Sequence, residues 1–124
     1  MPARLRPLAA GDRDAVLARL DAHDAAGQQA SAADVRAAVK HYLAVLAEGA
    51  PGKSVEVRVP PYAAVQCVEG ARHTRGTPPA VVETDAASWL AMARGLATFT
   101  SLVEAGSVRA SGERSDLTPF LPLD

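Results

Sequence analysis

The sequence predicts an α+β domain preceded by a helical extension. Three features carry that prediction. Val35, Val39, Tyr42 and Leu46 fall at i, i+4, i+7 and i+11, which is one stripe of a helix. From Ser54 the period drops to two, with Val55, Val57 and Val59 alternating with Ser54, Glu56 and Arg58. Later helical segments cluster instead of alternating with strands, which favours α+β over a doubly wound α/β sheet. A chain of 124 residues makes one ordinary domain.

Residues 1–30 read as a polar, alanine-rich helical extension. Asp12 is the expected cap, and Val16, Leu17 and Leu20 give a narrow apolar face that ends at Gly27, Gln28 and Gln29. Such a face predicts a loosely attached element. Residues 31–124 form the domain proper. Ser31 followed by Asp34 makes a weakened capping box for the next helix, and Gly49 and Pro51 stop it. His41 lies beside the stripe and, like His23, reads as a surface or boundary histidine.

The strand from Ser54 ends at Pro60-Pro61, since neither proline donates to a ladder. Tyr62–Val68 follows as a second strand, with Ala63, Val65 and Cys67 on one face. The short break predicts an antiparallel pair. Gly70–Pro79 is loop, and Ala80–Thr84 is a short third strand. Asp85 caps a helix carrying Trp89 and Leu90, which stops at Gly95. Thr98 caps a second short helix from Phe99 to Ala105, stopped by Gly106. Val108 and Ala110 alternate with Arg109 and Ser111 as a last strand, broken at Gly112. Asp116 to Leu123 closes the domain as a helical turn and an apolar tail.

Composition excludes several function classes. The net charge of −1 gives no broad cationic surface for nucleic acid. The longest uncharged stretch, Val59 to Val68, is far short of the ~20 residues that span a bilayer. Stable membrane insertion is therefore not expected. Arg4 and Arg6 are followed by Gly11 and Asp12 before any apolar run can form, so no secretory signal is expected. Cys67 is the single cysteine, which fits a reducing cytoplasm. Of the apolar residues 27 are alanine and none is isoleucine, so the few large side chains must dominate the core.

The run VVETDAASWLAMARG followed by LATFTSLVEAGSVRASGERSDL resembles the C-terminal half of sterol carrier protein domains. The matching steps are Asp85, Trp89, Leu90, Gly95, Gly106, Gly112 and Glu113. The segment SVEVRVPPYAAVQCVEGARHTRGTPPAVVETD is similar to short bacterial members of that family. The resemblance covers roughly residues 33–124. It implies a small curved sheet, mixed or antiparallel, covered by helices around an apolar tunnel for lipid-like ligands. It carries no catalytic motif and no cofactor. A related domain accompanies a metal-binding helical bundle in mycothiol-dependent isomerases. That bundle has no counterpart in this sequence, so the alternative is a partner-dependent accessory or interaction domain with no ligand of its own.

On that reading the tunnel candidates are Val65, Trp89, Phe99, Leu102, Val103, Phe120 and Leu121. Plain core packing competes with it. Burying Trp89 alone removes ~150–250 Å² from water, roughly 4–6 kcal/mol gross, and an alanine-rich core needs that. The tail is the natural mobile cover, since termini detach most easily.

Arg72, His73 and Arg75 are the polar candidates. Two guanidiniums on a glycine-containing loop can grip a carboxylate or phosphate. An acyl chain with an anionic head would satisfy both loop and tunnel. The competing reading pairs these arginines with Glu69, Glu83 and Asp85. Cys67 and His73 form a thiol–imidazole pair, but strand alternation buries Cys67 among Ala63 and Val65. Glu83 and Asp85 could form an acid/base pair, but capping accounts for Asp85. No metal site is expected, because no histidine has a second ligand at i+3 or i+4. The expected function is non-enzymatic carriage of a lipid-like molecule, with a protein partner or homodimer left open.

Overall fold

A computed structural model describes residues 4–70, 79–112 and 115–124. The elements run α1 (Ala10–Ala25), α2 (Ala32–Gly49), β1 (Val55–Val59), β2 (Ala63–Cys67), β3 (Ala80–Thr84), α3 (Ala86–Ala93), α4 (Phe99–Glu104) and β4 (Val108–Ser111). A 3₁₀ turn at Thr118–Phe120 precedes the tail. The α+β class is as the periodicities predict.

Local chemistry sets the helix ends. Ser31, Asp85 and Thr98 each accept a hydrogen bond from the backbone N–H three residues on, at Asp34, Ser88 and Ser101. Gly95 and Gly106 follow α3 and α4 in the left-handed region. The first helix differs from expectation. It starts at Ala10 behind Ala9, with no side-chain cap, and Asp12 sits in its first turn, where a negative charge favours the helix dipole.

The extension is also docked, not loose. Val16 is buried and Leu17 packs against the core. Arg19 grips the Asp34 carboxylate bidentately at 2.9–3.2 Å, tying α1 to α2. Arg94 does the same to Asp21 at 2.9 and 3.0 Å, tying α3 to α1. Exposed pairs of this kind each contribute little. They fix where a helix already held by Val16 and Leu17 lies.

The strand order is β2-β1-β3-β4. The β1–β2 pair is antiparallel, with Val57 opposite Val65. The β1–β3 pair is parallel, with Val55 beside Ala80. The β3–β4 pair is antiparallel, with Thr84 opposite Val108. Thus β2 ends, and β3 begins, at the same end of the sheet, on either side of β1. Cys67 and Ala80 both stand beside Val55, the first residue of β1.

Ser54 ties both of these ends to β1. Its N–H and Oγ–H both donate to the Val68 carbonyl, at 3.1 and 2.6 Å, and its own carbonyl accepts from Ala80 N–H at 2.9 Å. Val68 turns the chain with φ +64, an unusual conformation for a β-branched residue. Its N–H donates to Ala50 O at 2.7 Å, so the end of α2 is held as well.

One sheet face is closed by helices. Val55, Val57, Val59, Cys67, Ala80, Val82 and Val108 are buried there. They join Val39, Tyr42, Leu43 and Leu46 of α2 and Trp89, Met92 and Ala93 of α3 in one cluster. The opposite face is polar, with Arg58 paired to Glu56 and Arg109 donating to Glu83 at 2.9 Å. Two core aromatics carry a satisfied polar tip. Trp89 Nε1 donates to Val39 O at 3.3 Å, and Tyr42 OH to Asp124 Oδ2 at 2.7 Å.

The backbone junction at the start of β1 makes Gly52 irreplaceable. Its φ is +151, and an added Cβ would lie 2.2 Å from the Val68 carbonyl oxygen. Gly106, at φ +79, has open space around it. Gly52→Ala should destabilise by at least about 3 kcal/mol, because backbone must move. Gly106→Ala should cost only about 1–2 kcal/mol, the penalty of a left-handed L-residue. Urea unfolding of both variants checks the ranking, and equal losses would show that the junction is slack.

Candidate ligand-binding site

The apolar residues singled out by sequence fall into three settings. Trp89 and Phe99 are buried in the main cluster. Leu102, Phe120 and Leu121 are half-buried and pack against it from outside, together with Leu90 and Leu123. Val103 is 37% exposed. Val65 is half-buried on the inner face of β2, at the opposite sheet edge from β4, against which α4 packs. The structure thus gathers Trp89, Phe99, Leu102, Phe120 and Leu121 around one core and sets Val65 apart from them.

Two hydrogen bonds hold the tail to α3 and α2. Leu123 N–H donates to Ala93 O at 2.8 Å, and Asp124 accepts from Tyr42. Leu117, just before the 3₁₀ turn, is fully buried and anchors its root.

Arg72, His73 and Arg75 lie outside the described residues, as does Glu113. Of the acidic groups near them in sequence, Glu83 is held by Arg109 and Asp85 by the cap of α3. Glu83 and Asp85 therefore serve separate structural contacts. Cys67 is fully buried, and burial pushes its thiol up to about 11. It is built as core, not as a nucleophile. Among the described residues no group of three or more His, Cys, Asp or Glu is placed to hold a metal ion.

Two open hollows mark the described surface. One, of about 310 Å³, lies on the polar sheet face among Arg58, Val81, Glu83, Arg109, Ala110 and Ser111. The other, of about 590 Å³, is a groove bounded by Pro7 and Leu8, by Arg13, Asp14 and Leu17 of α1, by His41 and Val45 of α2, and by Leu123 and Asp124 of the tail. Neither is lined by any of the tunnel candidates named from the sequence.

The groove has defined electrostatics. His41 is only 5% exposed, so it is not the surface or boundary residue its helix position suggested. The reason is the docked segment before α1: Leu8 N–H donates to His41 Nδ1 at 2.9 Å. An acceptor at Nδ1 places the proton of the neutral ring on Nε2. The Tyr42 ring meets the imidazole edge-on, with centroids 4.9 Å apart. Burial, then the charge of Arg13, holds the imidazole below the usual histidine range, while Asp124 pulls the other way. Sequence reasoning missed this groove. Its one local signal was a histidine next to an apolar stripe; the hydrogen bonds that close it span 33 and 82 residues of the chain.

A helix-backed, four-stranded mixed sheet with a docked helical extension defines the class as a small α+β domain. Residues 31–123 match the family model described as bacterial SCP ortholog. The chain belongs to that sterol carrier protein-like family. Comparison with curated proteins gives no match. The family suggests carriage of hydrophobic molecules in general, and such carriers are generally non-catalytic. Among the described residues no helix is long and apolar enough to cross a membrane.

Two outcomes follow from the buried groups. Cys67 in the folded chain should react with a maleimide at neutral pH at least about tenfold more slowly than in the unfolded chain; equal rates would mean the strand opens freely. For His41, the unfolded ring takes up its proton near the usual 6.5 and the folded ring only below it. As pH falls below that value the unfolded state binds more protons, so stability drops until the folded ring is also protonated. The thermal midpoint should fall on going from about pH 7 to about pH 5.5. His41→Gln should flatten that slope, and an unchanged slope would remove His41 as its source.

Proposed function

We propose that this protein binds and carries a small apolar or amphipathic molecule without transforming it. The ligand body lies beneath the C-terminal tail, against Trp89, Phe99 and Leu102, with Phe120 and Leu121 as its cover. The observation that carries this reading is the seam itself. The core cluster that holds the fully buried Trp89 has half-buried Leu102, Phe120 and Leu121 packed against it, and the tail is held by two hydrogen bonds, to Ala93 and Tyr42. Family membership supports the ligand class. Val103 is a secondary candidate, Val65 at the far sheet edge stands outside this space, and Arg72, His73 and Arg75 are assigned to an anionic head group on their chemistry alone.

Magnitudes set the ligand size. Freeing three half-buried side chains costs about 2–4 kcal/mol, at half the value of full burial. Two hydrogen bonds add roughly 1 kcal/mol each. A ligand regains roughly 0.8 kcal/mol per buried CH₂, so five to eight methylenes, roughly, only break even. Chains of about twelve carbons or more bind, and short ones do not.

Trp89 is the only tryptophan, so its fluorescence reports directly on the seam. Titration with saturated fatty acids should change the emission saturably for chains of about twelve carbons and above, and leave it unchanged near six. Arg75→Ala should weaken the fatty acid and spare the matching alcohol. No saturable change at any chain length, with no lipid-sized adduct in native mass spectra of the purified protein, would overturn the carrier reading. Equal weakening of acid and alcohol would overturn the head-group role.

A further inference from the structure

We propose that residues 4–8 form a strap that neutral His41 holds down and that proton uptake by the same ring releases, while α1 behind it stays docked. The inference is independent of any ligand beneath the tail.

The strap and α1 are held by different means. Buried Val16, Leu17 and the ion pairs of Arg19 with Asp34 and of Arg94 with Asp21 fasten α1. In the strap, half-buried Leu5 packs against the core, and half-buried Pro7 and Leu8 line the groove. Arg4 and Arg6 are exposed. The bond from Leu8 N–H to His41 Nδ1 at 2.9 Å is the single hydrogen bond that residues 4–8 make among the described residues. A segment with so few contacts opens at lower free energy than the fold behind it.

The acceptor of that one bond titrates. A neutral imidazole accepts at Nδ1, whereas an imidazolium carries a hydrogen on both nitrogens and accepts at neither. Protonation in place therefore sets two N–H groups against each other and strips Leu8 N–H of its acceptor. Moving the strap away ends that clash and returns Leu8 N–H to water. His41 lines an open groove, so a proton reaches the ring without unfolding.

The surroundings of the ring set the direction of the coupling. Burial, and then Arg13 of α1, oppose a charge on the docked ring, while Asp124 of the tail favours it. Asp14 of α1 also lines the groove, but it is exposed and paired to Arg13. Tyr42 meets the ring edge-on, and its hydroxyl is committed to Asp124. Removing the strap gives the ring water and relieves the largest of these oppositions. The released form thus binds the proton more tightly than the docked form, and linkage converts that difference into release as pH falls. Between about pH 7.5 and about pH 5 the released population should rise about tenfold or more.

The test follows the full chain by NMR over that range. The His41 ring resonances give its titration midpoint. Protection of the Leu8 amide against hydrogen exchange, corrected for the intrinsic pH dependence of exchange, gives the released population. The amides of Val16 and Trp89 report α1 and the core. The expected result is a fall in Leu8 protection of about tenfold or more that tracks the ring titration, with Leu8 less protected than Val16 and Trp89 at every pH. In His41→Gln the side-chain carbonyl can accept from Leu8 and does not titrate, so Leu8 protection should stay level. The proposal is overturned if Leu8 protection is unchanged while His41 takes up its proton, if Leu8 exchanges only together with Val16, or if His41→Gln loses Leu8 protection over the same range. If His41→Gln does not fold, the wild-type titration alone decides.

Discussion

The backbone junction at the start of β1 is the constraint on which the rest depends. Three carbonyls and four donors meet there: Ala50 O takes Val68 N–H, Val68 O takes both donors of Ser54, and Ser54 O takes Ala80 N–H. The bonds close α2 onto β2, β2 onto β1, and β1 onto β3. With that end fixed, β1 becomes an inner strand, buried at Val55, Val57 and Val59 and paired on both sides. Gly52 lets two backbones approach closer than any side chain allows. The left-handed Val68 is the cost of the turn, sustained because its neighbours over-determine it.

An inner strand with one polar and one apolar face forces a two-layer domain. The helices cover the apolar face, and the core between is held by α2 and Trp89. Small alanines let the layers approach, so a few large groups set the spacing. Both buried aromatic polar tips are used as fasteners. Trp89 Nε1 holds α3 to a carbonyl of α2, and Tyr42 OH holds the tail to the same helix. Neither tip is left to compete for a ligand, which makes the surrounding shell the adjustable part of the domain.

How much of this was legible follows from range. Each cap at Ser31, Asp85 and Thr98 is a bond across three residues, and each was readable. Alternation at Val55–Val59 showed which residues turn inward, because the pleat has a period of two. The parallel placement of β3 beside β1 was not readable, since alternation is blind to neighbours. The placement of the extension is fixed by Arg19 meeting Asp34 and Arg94 meeting Asp21, the latter 73 residues apart, which no local pattern shows. His41 looked peripheral because its burial comes from Leu8, 33 residues earlier. Among the candidate site residues, Trp89 and Phe99 were readable as buried; that Val65 stands at the far sheet edge was not, since only strand order reveals it.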